Sequence, residues 1–164
     1  MKSQVSRHNT KLLNSETVDQ VDPCVCTEFE CPLNGLCESK NVVYQATISS
    51  DDGRVENYIG CTKYFKKRYY GHRSDMNNPA NKEKNRSTLA NYVWKLKDER
   101  KNFDIKWKII DRGPLYNPLT KKCRLCIKEK YYIIMKPHMA TLNKRSELYN
   151  TCRHRLTDLL SKSK

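Results

Sequence analysis

The chain has 164 residues, enough for one domain that buries its own core. It is 37% hydrophobic and 30% charged with a formal net charge of +14, so its surface should suit a polyanion, nucleic acid first, ahead of a merely soluble surface or attraction to anionic lipid. No apolar run approaches the ~20 residues of a helical membrane span. Met1-Lys2-Ser3-Gln4 opens no apolar signal core, so an intracellular setting is expected.

Residues 1–22 are polar and aperiodic and read as a disordered lead-in. Residues 23–41 read as a cysteine-rich, knuckle-like segment: Cys24, Cys26, Cys31 and Cys37 sit among Pro23, Pro32, Asn34 and Gly35, with no stretch long enough for a helix. Such a segment is ordered by zinc when it buries too little surface to order itself.

From Val42 to Ser50 the residues alternate, Tyr44, Ala46 and Ile48 on one face and Val43, Gln45 and Thr47 on the other. Asp51-Asp52-Gly53 signals a turn. Val55 to Gly60 is a second strand, and the pair forms an antiparallel hairpin. Thr62 is expected to cap a helix running to about Met76, with Tyr64, Arg68 and His72 on one face at i, i+4, i+8 spacing. Asn77 to Arg86 reads as a loop. Ser87 or Thr88 caps a second helix whose buried stripe is Leu89, Tyr92, Val93 and Leu96. Phe103, Ile105, Trp107 and Ile109 alternate with Asp104, Lys106 and Lys108 to give a third strand. Gly113 to Pro118 is a loop. A third helix spans Lys122 to Lys136, stopped by Pro137, and a partly helical tail carries Leu142, Asn143, Leu148, Cys152, His154 and Leu156. The order β-β-α-α-β-α implies a small α/β or α+β sandwich. Residues 157–164 form a basic tail.

Glu129 lies four residues after Leu125 and four before Ile133, on a stripe facing the core. A carboxylate there needs a partner: a structural ion pair with one of the many Lys or Arg side chains, or a metal. Arg68 and His72 make either a solvated helix face or a phosphate clamp beside a proton acceptor. Tyr44 and Tyr58 are core aromatics unless a cation or histidine helps a phenol to ionise.

Cys123-x2-Cys126 and the looser Cys31-x5-Cys37 together would make one four-thiolate zinc site, tying the N-terminal segment to the third helix, with Cys152 and His154 as substitute ligands. Buried free thiols are the competing reading. Cys24 and Cys26 are disfavoured because an x1 spacing chelates poorly, and Cys61 reads as a packed thiol.

Taken together, these residues resemble the GIY-YIG endonuclease family. Val42-Val43-Tyr44 stands at the first motif, without its Gly and Ile, and Tyr58-Ile59-Gly60 at the second, after a somewhat longer loop. Arg68, Glu129 and Asn143 follow in order. The closer likeness is to the endonuclease domain of Penelope-like retroelements. It rests on Cys31-Pro32-Leu33-Asn34-Gly35-Leu36-Cys37 before the first motif, Arg68 with His72, Trp94-Lys95-Leu96-Lys97 and Ile105-Lys106-Trp107-Lys108-Ile109. It rests also on Cys123-Arg124-Leu125-Cys126 with Glu129, and on the closing Leu142-Asn143-Lys144-Arg145-Ser146-Glu147-Leu148 and Cys152-Arg153-His154.

The likeness covers residues 31–156 and implies a nuclease domain over 42–156 with a three-stranded, mainly antiparallel sheet flanked by helices. It implies divalent-metal-dependent hydrolysis of a DNA phosphodiester, Glu129 holding one Mg2+ or Mn2+ ion. Arg68 would neutralise the phosphate, and Tyr44 would act on the attacking water with His72 as proton acceptor. Tyr58 would position phosphate or water and Asn143 would brace the site. A reverse transcriptase domain of the same element is the implied partner and the nucleus the implied location. A zinc-stapled nucleic-acid-binding module without activity is the rival.

Overall fold

A computed structural model describes residues 24–26, 31–84, 86–144, 152 and 154. The lead-in over 1–22, Leu148, Leu156 and the tail over 157–164 lie outside the described residues. The alternation at Val42 to Ser50 produces strand β1 (Lys40–Ser50), whose every second side chain from Val42 to Ser50 is buried. Gly53, at φ +81°, closes the turn by donating its N–H to the Ser50 carbonyl at 3.0 Å. The chain returns as β2 (Val55–Tyr64), antiparallel to β1, with Tyr44 opposite Gly60.

The second strand runs four residues beyond the expected end at Gly60. Thr62 therefore caps nothing: its hydroxyl turns to the Tyr64 backbone inside the strand. Helix α1 (Phe65–Asn77) starts after Tyr64, which is exposed and precedes the helix. Residues 77–86, expected as loop, contain a 3₁₀ helix at Pro79–Lys84. Helix α2 (Thr88–Asp98) begins at Ser87, whose hydroxyl accepts the Ala90 N–H at 3.1 Å.

Strand β3 (Phe103–Arg112) pairs antiparallel with β1 on the side away from β2, so β1 is central in the order β2-β1-β3. A bulge opposite Val43 and Tyr44 pairs them with Asp111 and Ile109 and leaves Ile110 over. That extra residue lets two adjacent isoleucines serve opposite faces: Ile109 packs with Tyr44 and Ile110 with Val43.

Two short strands pair with each other, β4 (Tyr116–Asn117) inside what read as loop and β5 (Lys122–Cys123) where the third helix was expected to begin. Helix α3 (Arg124–Met135) follows directly, and Pro137 then opens a 3₁₀ turn. On the stripe expected to face the core, Leu125 is buried and Ile133 half-buried, whereas Ile127, Tyr131 and Ile134 elsewhere on the helix are at least half exposed.

The result is an α+β sandwich in three layers. Helices α1 and α2 cover one face through Phe65, Met76, Leu89, Val93 and Leu96 packed on Tyr44, Ala46 and Ile48, with the His72 ring edge-on to Tyr44. Helix α3 covers the other through Leu125 on Val43 and Ile59. The outer edge of β2 is shielded by the chain after α3: Leu142 donates to the Asn57 carbonyl at 2.9 Å, and Asn57 donates to the Thr141 hydroxyl at 2.8 Å.

Candidate active site and metal centres

Tyr44 points from the central strand across β2. A Cβ on Gly60 would lie 2.4 Å from the Tyr44 hydroxyl and 2.6 Å from Cζ, so only glycine opposite Tyr44 lets the phenol lie there. The hydroxyl meets His72 Nε2 at 2.7 Å and accepts from Arg68 Nε at 3.2 Å. Arg68 also engages the Tyr58 phenol, and the Tyr58 ring stands edge-on to His72 with centroids 5.8 Å apart. Four residues from β1, β2 and α1 thus form one cluster, because the β2-to-α1 junction is tight enough to fold the helix back over its own hairpin.

Burial raises the Tyr44 pKa well above that of a free phenol, reinforced by Tyr58 and by the Glu129 charge against the pull of Arg68. Tyr44 is therefore a neutral phenol. Burial works against the Arg68 charge, but its hydrogen bonds to the Tyr44 and Tyr58 phenols help to hold the guanidinium protonated. His72 is pushed down to about 3 by burial and then by the Arg68 charge, so it is a neutral imidazole at pH 7. Its Nδ1 is buried without a hydrogen-bond partner among the described residues.

Glu129 comes from the opposite layer. It reaches β2 at Cys61, one residue past Gly60, where the thiol donates to Oε2 at 3.3 Å. Asn143 lies on the β2 edge: its Oδ1 accepts the Ile59 N–H and its Nδ2 donates to the Ile59 carbonyl, both at 2.8 Å. It acts as one more rung of sheet, fixing the residue between Tyr58 and Gly60.

The cysteines fall into two sets, which corrects the expectation of one site made from Cys31, Cys37, Cys123 and Cys126. Cys24, Cys26, Cys31 and Cys37 form one cluster, and Cys123, Cys126, Cys152 and His154 the other, each with its ligand atoms within 4.8 Å of one another. The first sits on the α1 side of the sheet and the second on the α3 side. The knuckle therefore does not clasp α3. It clamps the entry to β1 and the start of α1, where the Ser39 carbonyl accepts the Phe65 N–H at 3.0 Å.

Cys24 and Cys26, disfavoured by spacing, are members because each pairs across the loop, Cys24 with Cys31 at 3.5 Å and Cys26 with Cys37 at 3.6 Å. In the second cluster Cys126 stands 3.5 Å from Cys152 and 3.2 Å from His154 Nδ1. Zn–S bonds of about 2.3 Å in a tetrahedron put sulfurs about 3.8 Å apart, so both sets are close to the size of a four-ligand metal site.

Each cluster contains one thiol that ionises easily. Burial raises Cys31, but backbone N–H groups of Leu33 and Gly35 together with Cys24 bring it down to about 7. Cys126 is held down to about 4, foremost by the Cys61 thiol, then against burial by His154 and Cys152. Burial pushes Cys123 up to about 12, and burial and neighbouring thiols push Cys37 up further. A single thiolate among protonated neighbours is a landing point for a cation that then displaces the remaining protons. Both clusters could hold a metal ion.

Sequence reasoning missed Cys61 as more than a packed thiol. The signal was available in the alternation: one residue past Gly60 is the opposite face of β2, the face that α3 covers. Comparison with protein-family models, with curated proteins and with solved structures found no match.

Proposed function

We propose that the chain is a divalent-metal-dependent DNA endonuclease of the GIY-YIG type, closest to that of Penelope-like retroelements, and that it nicks DNA. The observation that carries this reading is the hydrogen-bonded chain His72–Tyr44–Arg68 seated over Gly60, with the Glu129 charge reaching the same phenol. A merely structural tyrosine needs one partner for its hydroxyl. This one has a permanent cation and a neutral base on the same oxygen.

In this reading Arg68 uses Nε to orient Tyr44 and its remaining N–H groups to draw a phosphodiester toward the cluster. The arriving anion offsets the Arg68 charge that depresses His72, so substrate binding raises the basicity of the imidazole. A water on the Tyr44 hydroxyl then passes its proton through the phenol to His72 Nε2. Glu129, a half-buried carboxylate whose charge reaches Tyr44, would hold a Mg2+ or Mn2+ ion. When bound, that ion supplies charge neutralisation at the leaving oxygen. Both Cys clusters hold structural zinc, and the basic surface holds the DNA backbone with little sequence information.

The test is nicking of supercoiled plasmid with Mg2+ or Mn2+. The parent should nick, and Glu129→Ala should lose at least about a hundredfold in rate, the scale of losing an electrostatic stabiliser. Equal rates would remove the assignment. A second reading, a zinc-stapled DNA-binding module without activity, is favoured by one observation: Tyr44 and His72 are at most 1% exposed. It predicts metal-independent DNA binding and no nicking by either protein.

A further inference from the structure

Glu129 and the second cysteine cluster share an interface that neither role explains. Helix α3 opens with two cluster members, Cys123 at its cap and Cys126 in its first turn. Glu129 follows Cys126 by three residues and shares its face. Cys61, from β2, meets both: its thiol donates to Glu129 Oε2 at 3.3 Å, and it packs with Cys126 and Cys152 in one apolar cluster with Val43, Ile59 and Leu125. It belongs to neither four-ligand set.

From this geometry we infer that Cys61 is a positioning residue coupling two metal sites, so that cation binding at Glu129 depends on metal at Cys123, Cys126, Cys152 and His154. The inference rests on the reading that Glu129 holds a divalent cation. The thiol has one proton and two neighbouring acceptors, the Glu129 carboxylate, which takes it at 3.3 Å, and the Cys126 sulfur packed beside it. Metal at the cluster engages the Cys126 lone pairs and pins the first turn of α3. The Cys61 proton is then committed to Oε2, which fixes the plane of the carboxylate that would hold the cation. Without metal in the cluster, the proton is shared, the turn is unpinned and the carboxylate loses its orientation. Partners that orient a metal ligand in this way change metal affinity about 10–100-fold when removed.

The experiment is Mn2+ binding to the full chain followed by electron paramagnetic resonance, with zinc content measured on the same samples. Cys61→Ala should bind Mn2+ about tenfold more weakly than the parent at unchanged zinc content, and Cys61→Ser, which keeps a donor, should stay near the parent. Cys152→Ser should lose zinc from its cluster and weaken Mn2+ binding, while Cys26→Ser should lose zinc from the other cluster and leave Mn2+ binding alone. Parent-like Mn2+ binding by Cys61→Ala overturns the coupling. If Glu129→Gln loses Mn2+ in that same series, the nuclease reading survives its failure. If Glu129→Gln binds Mn2+ like the parent, the carboxylate is not the ligand and both fall.

Discussion

Burying an imidazole beside a guanidinium penalises its protonated form twice, through lost hydration and through like charge. His72, held at about 3 for those two reasons, makes the stability of the fold depend on pH. In the unfolded chain a histidine titrates near 6.5. Between those two values the unfolded chain takes up a proton that the folded protein refuses. The contribution of His72 is therefore complete above pH 6.5 and is lost as pH falls toward 3, at up to about 1.4 kcal/mol per pH unit for one proton. Urea unfolding of the parent and of His72→Gln between pH 7.5 and 5 should show the parent losing stability more steeply. Both proteins carry the same cysteine clusters, so acid loss of metal cancels in the difference. Parallel curves would mean that His72 is not depressed.

At the scale of elements, the hairpin and the helix after it make the site possible only because β2 has no side chain at Gly60. Tyr44 is fully buried, and its hydroxyl is held by His72 and Arg68, so the ring has nowhere to yield to a methyl group. Gly60→Ala should destabilise the protein by about 1–3 kcal/mol, the usual cost of overpacking. Gly71→Ala, in the middle of α1 with nothing within 4 Å of its Cβ, should instead be neutral or gain up to about 1 kcal/mol from helix propensity. Denaturant midpoints for the two variants decide this, and equal effects would remove the steric account. Much of this architecture was legible, because period-two alternation in β1 and β3 and the Ser87 cap are local signals. What failed was non-local. Thr62 looked like a cap, since nothing in Lys63-Tyr64 says that the strand continues, and the Ile109-Ile110 bulge depends on pairing with β1. Spacing shows which cysteines can share an ion but not which pairs meet. Cys126 and Cys152 are 26 residues apart in sequence and 3.5 Å apart in the fold, a proximity that no local pattern announces.

Across the whole molecule, the two clusters sit on opposite sides of one three-stranded sheet, each at the margin of one of its two apolar layers. The first fixes the entry to β1 and α1, and the second fixes the start of α3, so the layers are pinned to the sheet independently. A chain of +14 would gain from metal at these two places, since self-repulsion opposes compaction and metal–thiolate bonds are not weakened by it. If both sets hold zinc, elemental analysis of the purified protein should give about two zinc ions per chain by the four-ligand rule. Cys26→Ser and Cys152→Ser should each leave about one, and a variant carrying both substitutions none. Thermal melting should fall in both single variants and further in the double one, because neither pin substitutes for the other. Cys61→Ser should retain both ions, as that thiol lies outside either set. One zinc per chain, lost equally from both single variants, would restore a single shared site. A metal-free protein melting with the parent would remove zinc from the account of stability while leaving the His72–Tyr44–Arg68 cluster to be judged on nicking alone.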